Sequence, residues 1–347
     1  MNSLKSLLEK KIVIASAPCR IDMGGTIDIP VIHYPLRYLS PKTFNIAIDM
    51  RTTVTLSPFK DGWIKISSEG FQADEYPIDS APYNHPLGLM FAVAAYFRAD
   101  GVHIHIESSS PPRSALGGSS TAAVAIIAAI THTLGLAMPP EQIVMLAYQI
   151  ETNVAGVPCG IQDQLAAAYG GIHAWKWPGS PDQPHFIQQA LCNPTSYQDI
   201  EKHLLLAYCG IPHESKDING KWIKGFISGQ TRDQWKNITG YTTQFINAFK
   251  QNNIEGAIHA MNQEVDSRLS LTPEVLDKIG NQLVQAARNN NCGARFTGAG
   301  GGGCLWAMGK PNDIILLRSK WQSILSTHSD AKLLDITIAQ NGVEIYN

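Results

Sequence analysis

The sequence predicts two domains, each mixing helices and strands, and three observations point there. At 347 residues the chain is long enough for two hydrophobic cores. Short β-branched or alternating runs (Lys11–Ala17, Asn45–Leu56, Trp63–Ser67, Gly101–Glu107, His203–Tyr208) are interspersed with runs of helical period. After Trp177 the chain turns loop-like, through Pro178–Pro184 and Cys192–Gln198, and this break divides it into residues 1–190 and 191–347.

Lys11–Ala17 (KIVIASA) is expected as a strand ended by Pro18, and Cys19–Pro30 (CRIDMGGTIDIP) as a polar, glycine-containing turn. Asn45–Leu56 and Trp63–Ser67 continue the β signal, His85–Phe97 has helical period, and Gly101–Glu107 alternates as a strand does. The stretch Pro111–Ile130 (PPRSALGGSSTAAVAIIAAI) is the most informative. Two glycines let the backbone turn tightly, Ser119 or Ser120 is a suitable N-cap, and the alanine and isoleucine run that follows is apolar almost all round, hence buried. A buried helix that opens at a glycine turn offers free N–H groups to an anion, so Leu116, Gly117, Gly118, Ser119, Ser120 and Thr121 read as a phosphate cradle with a serine hydroxyl available to Mg²⁺. A capped core helix reads the same stretch without a ligand.

Pro139–Glu151 is a second amphipathic helix, with Ile143, Leu146, Ala147, Ile150 and Glu151 on one side. A carboxylate at a helix C-terminus opposes the macrodipole, so Glu151 is either solvated or close to something cationic. In Gly156–Gly171 (GVPCGIQDQLAAAYGG) a Pro/Gly loop delivers Asp163 to the start of a short helix, Gln164–Tyr169, either as its cap or as a positioned carboxylate. The second half is expected to hold a strand at His203–Tyr208, a polar loop over Gly210–Gly220, helices from about Trp222 to Asn289, and a glycine-rich loop leading into an apolar strand within Ala294–Met308.

Composition excludes several classes. The net charge of −2 is no polyelectrolyte signature, so nucleic acid and anionic membrane surfaces are not expected as main partners. The six cysteines are scattered without a C-x-x-C pair, which argues against a zinc site and a disulfide framework and fits a reducing cytosol. The N-terminal MNSLKSLLEKK lacks a signal-peptide core, and no apolar run approaches the length of a membrane span. Gly298–Gly303 satisfies G-x-G-x-x-G literally, yet it leads into a strand-like segment, and only 44 residues follow Gly303, too few for a dinucleotide-binding domain. The Walker pattern is absent.

Three segments in order, Ala17–Asp28, Pro112–Ala123 and Thr297–Gly303, resemble the GHMP kinases (galactokinase, homoserine kinase, mevalonate kinase and phosphomevalonate kinase) and bracket nearly the whole chain. Within the family, GIQDQLAAAYGG and SALGGSS resemble the bacterial D-glycero-D-manno-heptose 7-phosphate kinases, and CRIDMGGTIDIP the fucokinases. The resemblance implies a two-domain α+β fold: a ribosomal-protein-S5-like N-terminal domain, a ferredoxin-like C-terminal domain, and an active site between them. It implies ATP, Mg²⁺ and phosphoryl transfer to the hydroxyl of a small molecule, with C1 of a sugar such as heptose 7-phosphate as the first expectation. An unphosphorylated sugar, mevalonate, or a non-catalytic sensor of nucleotide or sugar are the alternatives. It also implies Asp163 as catalytic carboxylate with Arg20 beside it, and Ser120 (or Ser119) and Glu151 as Mg²⁺ ligands. Gly300 and Gly301 then complete the ATP site, and Asp28 holds sugar hydroxyls. An adjacent Arg20 is expected to lower the pKa of Asp163. A phosphate on the acceptor would need cations away from Asp163, for which Arg113, His213 and Lys216 are available. Two departures stand out: Ala115 replaces the first glycine of the family's phosphate loop, and the Arg20-to-Asp28 spacing is one residue short of the sugar-kinase pattern.

Overall fold

The computed structural model describes residues 3–212 and 218–346, a mixture of helices and strands arranged on two sheets. The first half contributes helix α1 (Leu4–Leu8) and strands β1 (Val13–Met23), β2 (Lys42–Pro58), β3 (Trp63–Ser68), β4 (Asp74–Pro77) and β5 (Val102–Ser108). Between and after them come α2 (Pro30–His33), α3 (Gly88–Tyr96), α4 (Gly118–Thr133), α5 (Pro140–Asn153) and α6 (Gln162–Tyr169), then the hairpin β6 (Ile172–Lys176) and β7 (Ile187–Ala190). The second half holds α7 (Tyr197–Glu201), β8 (Leu204–Tyr208), α8 (Ile218–Ile227), α9 (Arg232–Lys250), α10 (Ile254–Leu271) and α11 (Lys278–Arg288). It closes with β9 (Gly293–Phe296), β10 (Cys304–Met308), α12 (Pro311–Leu325), β11 (Lys332–Leu334) and β12 (Glu344–Tyr346).

The larger sheet runs β12-β1-β2-β5-β3-β4. Strand β2 is long enough to serve two neighbours on one edge, β6 along Lys42–Ile46 and β5 along Thr52–Pro58. The smaller sheet, β11-β8-β10-β9, is antiparallel throughout and belongs to the second half. The chain crosses back at its end, because β12 pairs with β1 in the larger sheet.

The structure corrects two sequence expectations here. The segment Cys19–Met23 is strand rather than turn: β1 continues past Pro18, with a register shift between Pro18 and Cys19, and pairs Cys19–Met23 against Phe44–Ile48. Every residue of β1 from Ala15 to Met23 is buried, so the period-2 alternation that marks a half-exposed strand is missing from this stretch. The turn begins only at Gly24. The N-cap of α4 is Gly117, at φ 83°, not Ser119 or Ser120, both of which lie inside the first turn. Only a residue without Cβ takes that backbone angle freely, so the glycine reverses the chain and the serines are released for other partners.

Helix α4 is buried from Ser120 to Thr131, as its alanine and isoleucine content predicts, and packs against β1, β2, α5 and α6. No helix among the described residues is long and apolar enough to cross a membrane.

Candidate active site

The open N-terminal end of α4 is where the chemistry-bearing residues meet. The first intrahelical bond runs from Thr121 N–H to Gly117 C=O at 2.9 Å, so the N–H groups of Gly118, Ser119 and Ser120 have no acceptor within the helix. The preceding loop is held in an unusual shape: Arg113 has φ 54° and Ala115 φ 60°, both in the left-handed region. The substitution of alanine for glycine at 115 has therefore not removed the turn; it leaves a strained residue there, at a cost of about 1–2 kcal/mol.

Arg20, only 4% exposed, fixes this loop. Its backbone N–H donates to Leu116 C=O at 3.1 Å and its Nη1 to Ala115 C=O at 2.7 Å. Its Nε donates to Asp163 Oδ1 at 2.8 Å, bringing together two residues 143 positions apart. Asp163 also touches the turn directly: a Cβ built on Gly117 would lie 3.1 Å from its Cγ and Oδ2. Asp163 does not cap α6, whose N-cap is Ile161 with no side-chain bond. The cap reading fails because Asp28 takes that place, its Oδ2 accepting from Gln162 N–H at 2.9 Å. The expected direction of the Asp163 pKa is also corrected. Burial raises it, Arg20 opposes, Asp22 adds to the rise, and the net shift is upward.

Behind the turn, Ser120 Oγ donates to Glu151 Oε2 at 2.8 Å and Gln164 Nε2 donates to the same oxygen at 2.7 Å. Of the two candidate serines it is Ser120, buried, that meets Glu151; Ser119 is exposed. Glu151 is 5% exposed and has no ion-pair partner among the described residues, so it is neither a solvated glutamate nor one with a protein cation beside it. Burial, with the nearby charge of Asp163, pushes its carboxyl up to about 7 against the hydrogen bonds from Ser120 and Gln164. Burial likewise pushes Asp28 up to about 6, against the Gln162 N–H bond.

The late glycine loop makes two separate sets of contacts. Gly300 and Gly301 pack on Val275: Gly301 N–H donates to Val275 C=O at 2.9 Å, and a Cβ on Gly300 would lie 2.5 Å from that oxygen. Gly303 and its neighbour meet the phosphate loop instead, with Cys304 N–H donating to Ser114 C=O at 2.9 Å. A Cβ on Gly303, at φ 86°, would lie 2.6 Å from Ser114 O. Gly303→Ala is expected to lower unfolding stability by more than Gly62→Ala, where φ is 74° but the space is open. Gly62→Ala carries only the backbone term of about 1–2 kcal/mol. Equal losses in urea unfolding would show that the loop does not press on Ser114.

Sequence reasoning missed the ion network below the site. Asp22 Oδ1 accepts from Gly298 N–H at 2.7 Å and its Oδ2 from Arg295 Nη1 at 3.1 Å. Glu264 accepts from Arg295 Nε at 3.0 Å and Arg268 Nε at 2.9 Å, and Arg268 Nη2 reaches Gly25 C=O at 2.6 Å. Against burial, the two guanidiniums hold Glu264 below its ordinary pKa. This network ties β9 and α10 of the second half to the end of β1, and so to Arg20. No local pattern marks its four charged residues, Asp22, Glu264, Arg268 and Arg295. Of the other candidates, Arg113 is exposed beside the loop, and His213 and Lys216 lie outside the described residues.

This pair of sheets, with a glycine turn at an open helix end, one carboxylate beside it and a second behind it, has the fold of solved GHMP kinases. Residues 84–171 match the GHMP kinases N terminal domain, a family whose members are ATP-dependent phosphotransferases acting on hydroxyl groups. It is 24% identical over 324 residues to a mevalonate kinase of Thermococcus sibiricus, covering 85% of this chain and 89% of that one. It is 32% identical over 120 residues to the D-glycero-alpha-D-manno-heptose 7-phosphate kinase of Campylobacter jejuni, 33% of each chain. The fold superposes on Lactococcus lactis galactokinase complexed with galactose with a TM-score of 0.73, at 17% identity, covering 98% of this chain and 99% of that one.

Proposed function

We propose that this protein transfers the γ-phosphoryl group of ATP to a sugar hydroxyl, with Asp163 as the catalytic carboxylate. The observation that carries this reading is the placement of Asp163 against Gly117 and Arg20 at the open end of α4. Phosphoryl transfer needs an aligned acceptor and stabilised charge more than covalent help from the protein. Leu116–Thr121 would cradle the phosphates through backbone N–H groups, which need no rearrangement during the reaction. Asp163 would orient the acceptor hydroxyl and take its proton late in the transfer. Its raised pKa makes it a better base than an ordinary aspartate. Arg20 keeps that carboxylate in place and ties it to the loop.

Ser120 and Glu151 fit a Mg²⁺ ion. A buried carboxylate with no cation beside it is costly, and a hard divalent ion is the partner its oxygens suit. Mg²⁺ takes most of its ligands from phosphates and water, so two side-chain oxygens suffice. When bound, Mg²⁺ would neutralise charge on the transferring phosphate.

The motif resemblance favours C1 of a heptose 7-phosphate as acceptor. The test is kcat/KM with ATP for heptose 7-phosphate, fucose, galactose and mevalonate, with the product phosphate located by ³¹P–¹H coupling. Sugar turnover well above mevalonate turnover is expected. Preference for mevalonate would overturn the sugar reading, and nucleotide binding without turnover of any hydroxyl compound would leave a sensor.

A further inference from the structure

Asp22 follows Arg20 by two positions in β1, so the pleat turns both side chains to the same face of the sheet. Asp22 is 0% exposed, and all three of its oxygens are engaged. Its C=O accepts from Trp306 Nε1 at 3.0 Å. Its Oδ2, which accepts from Arg295, is also reached at 3.5 Å by Nε2 of Gln162, the residue before Asp163. A Cβ on Gly25 would strike both atoms of that contact, 2.7 Å from Asp22 Oδ2 and 2.6 Å from Gln162 Nε2, so the turn after β1 closes over it. Its Oδ1, which accepts from Gly298 N–H, lies 3.7 Å from Arg20 Nη1. Gly298 in turn sits on that guanidinium and on the phosphate loop: a Cβ there would be 3.4 Å from Arg20 Nη2 and 3.5 Å from Ala115 O. One buried carboxylate thus touches the neighbour of Asp163, the guanidinium that holds Asp163, and the glycine loop of the second half.

We propose that Asp22 is a positioning residue for phosphoryl transfer: its charge shares Arg20 with Asp163, and its two carboxylate oxygens hold Gln162 and Gly298 in place around that pair. The proposal rests on the reading of Asp163 as the carboxylate that serves the acceptor hydroxyl. Asp22 is shut off from solvent, so it acts through Arg20 and Gln162 rather than by touching a substrate. A guanidinium that faces one carboxylate stabilises its charge in full; one that faces two divides its attraction between them. Arg20 is in the second situation, with Asp163 at Nε and Asp22 near Nη1. Asp22 thereby keeps Arg20 from quenching Asp163 as a base: burial first, and then the like charge of Asp22, favour the protonated form that Arg20 opposes. A carboxylate held this way takes a hydroxyl proton more readily. Asp22 needs a counter-charge of its own, and Arg295 provides it. Charges then alternate through Glu264 to Arg268, so that the second half neutralises Asp22 without drawing on Arg20.

The test uses Asp22→Asn, which keeps the shape and an acceptor for Gly298 N–H but removes the charge. Its kcat is expected to fall about ten- to a hundredfold, with KM for ATP and for the acceptor little changed, because no substrate contact is lost. This variant leaves Arg295 short of counter-charge and can fail to fold, so Asp22→Asn is also combined with Arg295→Gln. The pair restores the charge balance, with Glu264 still bound to Arg268. The double variant is expected to regain stability in urea unfolding without regaining kcat. Recovery of kcat together with stability would make Asp22 a counter-ion of Arg295 and overturn the proposal, as would normal kcat in Asp22→Asn. A double-mutant cycle in unfolding reads the shared guanidinium without any turnover. Asp22→Asn is expected to cost more stability in the Asp163→Asn background than in the wild type, because Arg20 then keeps neither carboxylate; additive losses overturn the sharing. Failure of the kinase reading looks different: the wild type phosphorylates no hydroxyl compound, while the coupling between Asp22 and Asp163 remains.

Discussion

Asp163→Asn is expected to lower kcat by about 10²–10⁴-fold, the range that loss of a positioned proton acceptor commonly produces. Asparagine keeps the shape and can still accept from Arg20, yet carries no charge and cannot take the acceptor proton. ATP affinity should hold, because the proposed cradle would use backbone groups of α4 and its turn rather than this side chain. Arg20 retains Asp22 within 3.7 Å, so the buried guanidinium is not left without a counter-charge, and thermal unfolding reports any remaining loss. Near-normal kcat in Asp163→Asn would reduce Asp163 to a counter-ion for Arg20.

Glu151→Gln is expected to act in opposite directions on stability and on metal dependence. The Glu151 carboxyl lies at about 7 in the folded protein against an ordinary value of 4.5. A raised folded-state pKa means that the unfolded chain releases the proton first. The stability this group contributes is therefore fully present below about pH 4.5 and is lost as pH rises through about 7. At about 1.4 kcal/mol per pKa unit, that loss is on the order of 3 kcal/mol. Without ligands, Glu151→Gln should be more stable than the wild type at pH 8 and nearly equal to it at pH 4.5, in urea unfolding at the two pH values. With Mg²⁺ and ATP, the same variant should need a higher Mg²⁺ concentration for half-maximal rate, and Ser120→Ala should share that defect while Ser119→Ala does not. Identical stability at pH 8 would contradict a buried, uncompensated carboxylate; an unchanged Mg²⁺ requirement would remove Glu151 from the metal site.

The sequence by itself determined the elements whose cause is local. The apolar run Ala122–Ile130 can only be a buried helix, and Leu116-Gly117-Gly118 is a glycine turn before it; Glu151 shares a helix side with Ala147 by its spacing, while only the structure shows it buried. Those features depend on residues within one or two helical turns, the range over which periodicity and glycine freedom act. Tertiary structure decided the rest. Cys19–Met23 became strand because Phe44–Ile48 lies alongside it, although its own residues, buried on both faces, show no alternation. Whether Asp163 is a cap or a positioned carboxylate turned on Arg20 and Asp28, each more than 130 residues away, and the direction of its pKa turned on how far burial outweighs a neighbouring guanidinium. The pairing of Ser120 rather than Ser119 with Glu151 is likewise a product of packing. Hydrogen bonds and desolvation depend on distances in space, and along the chain these partners are separated by lengths over which no local pattern extends.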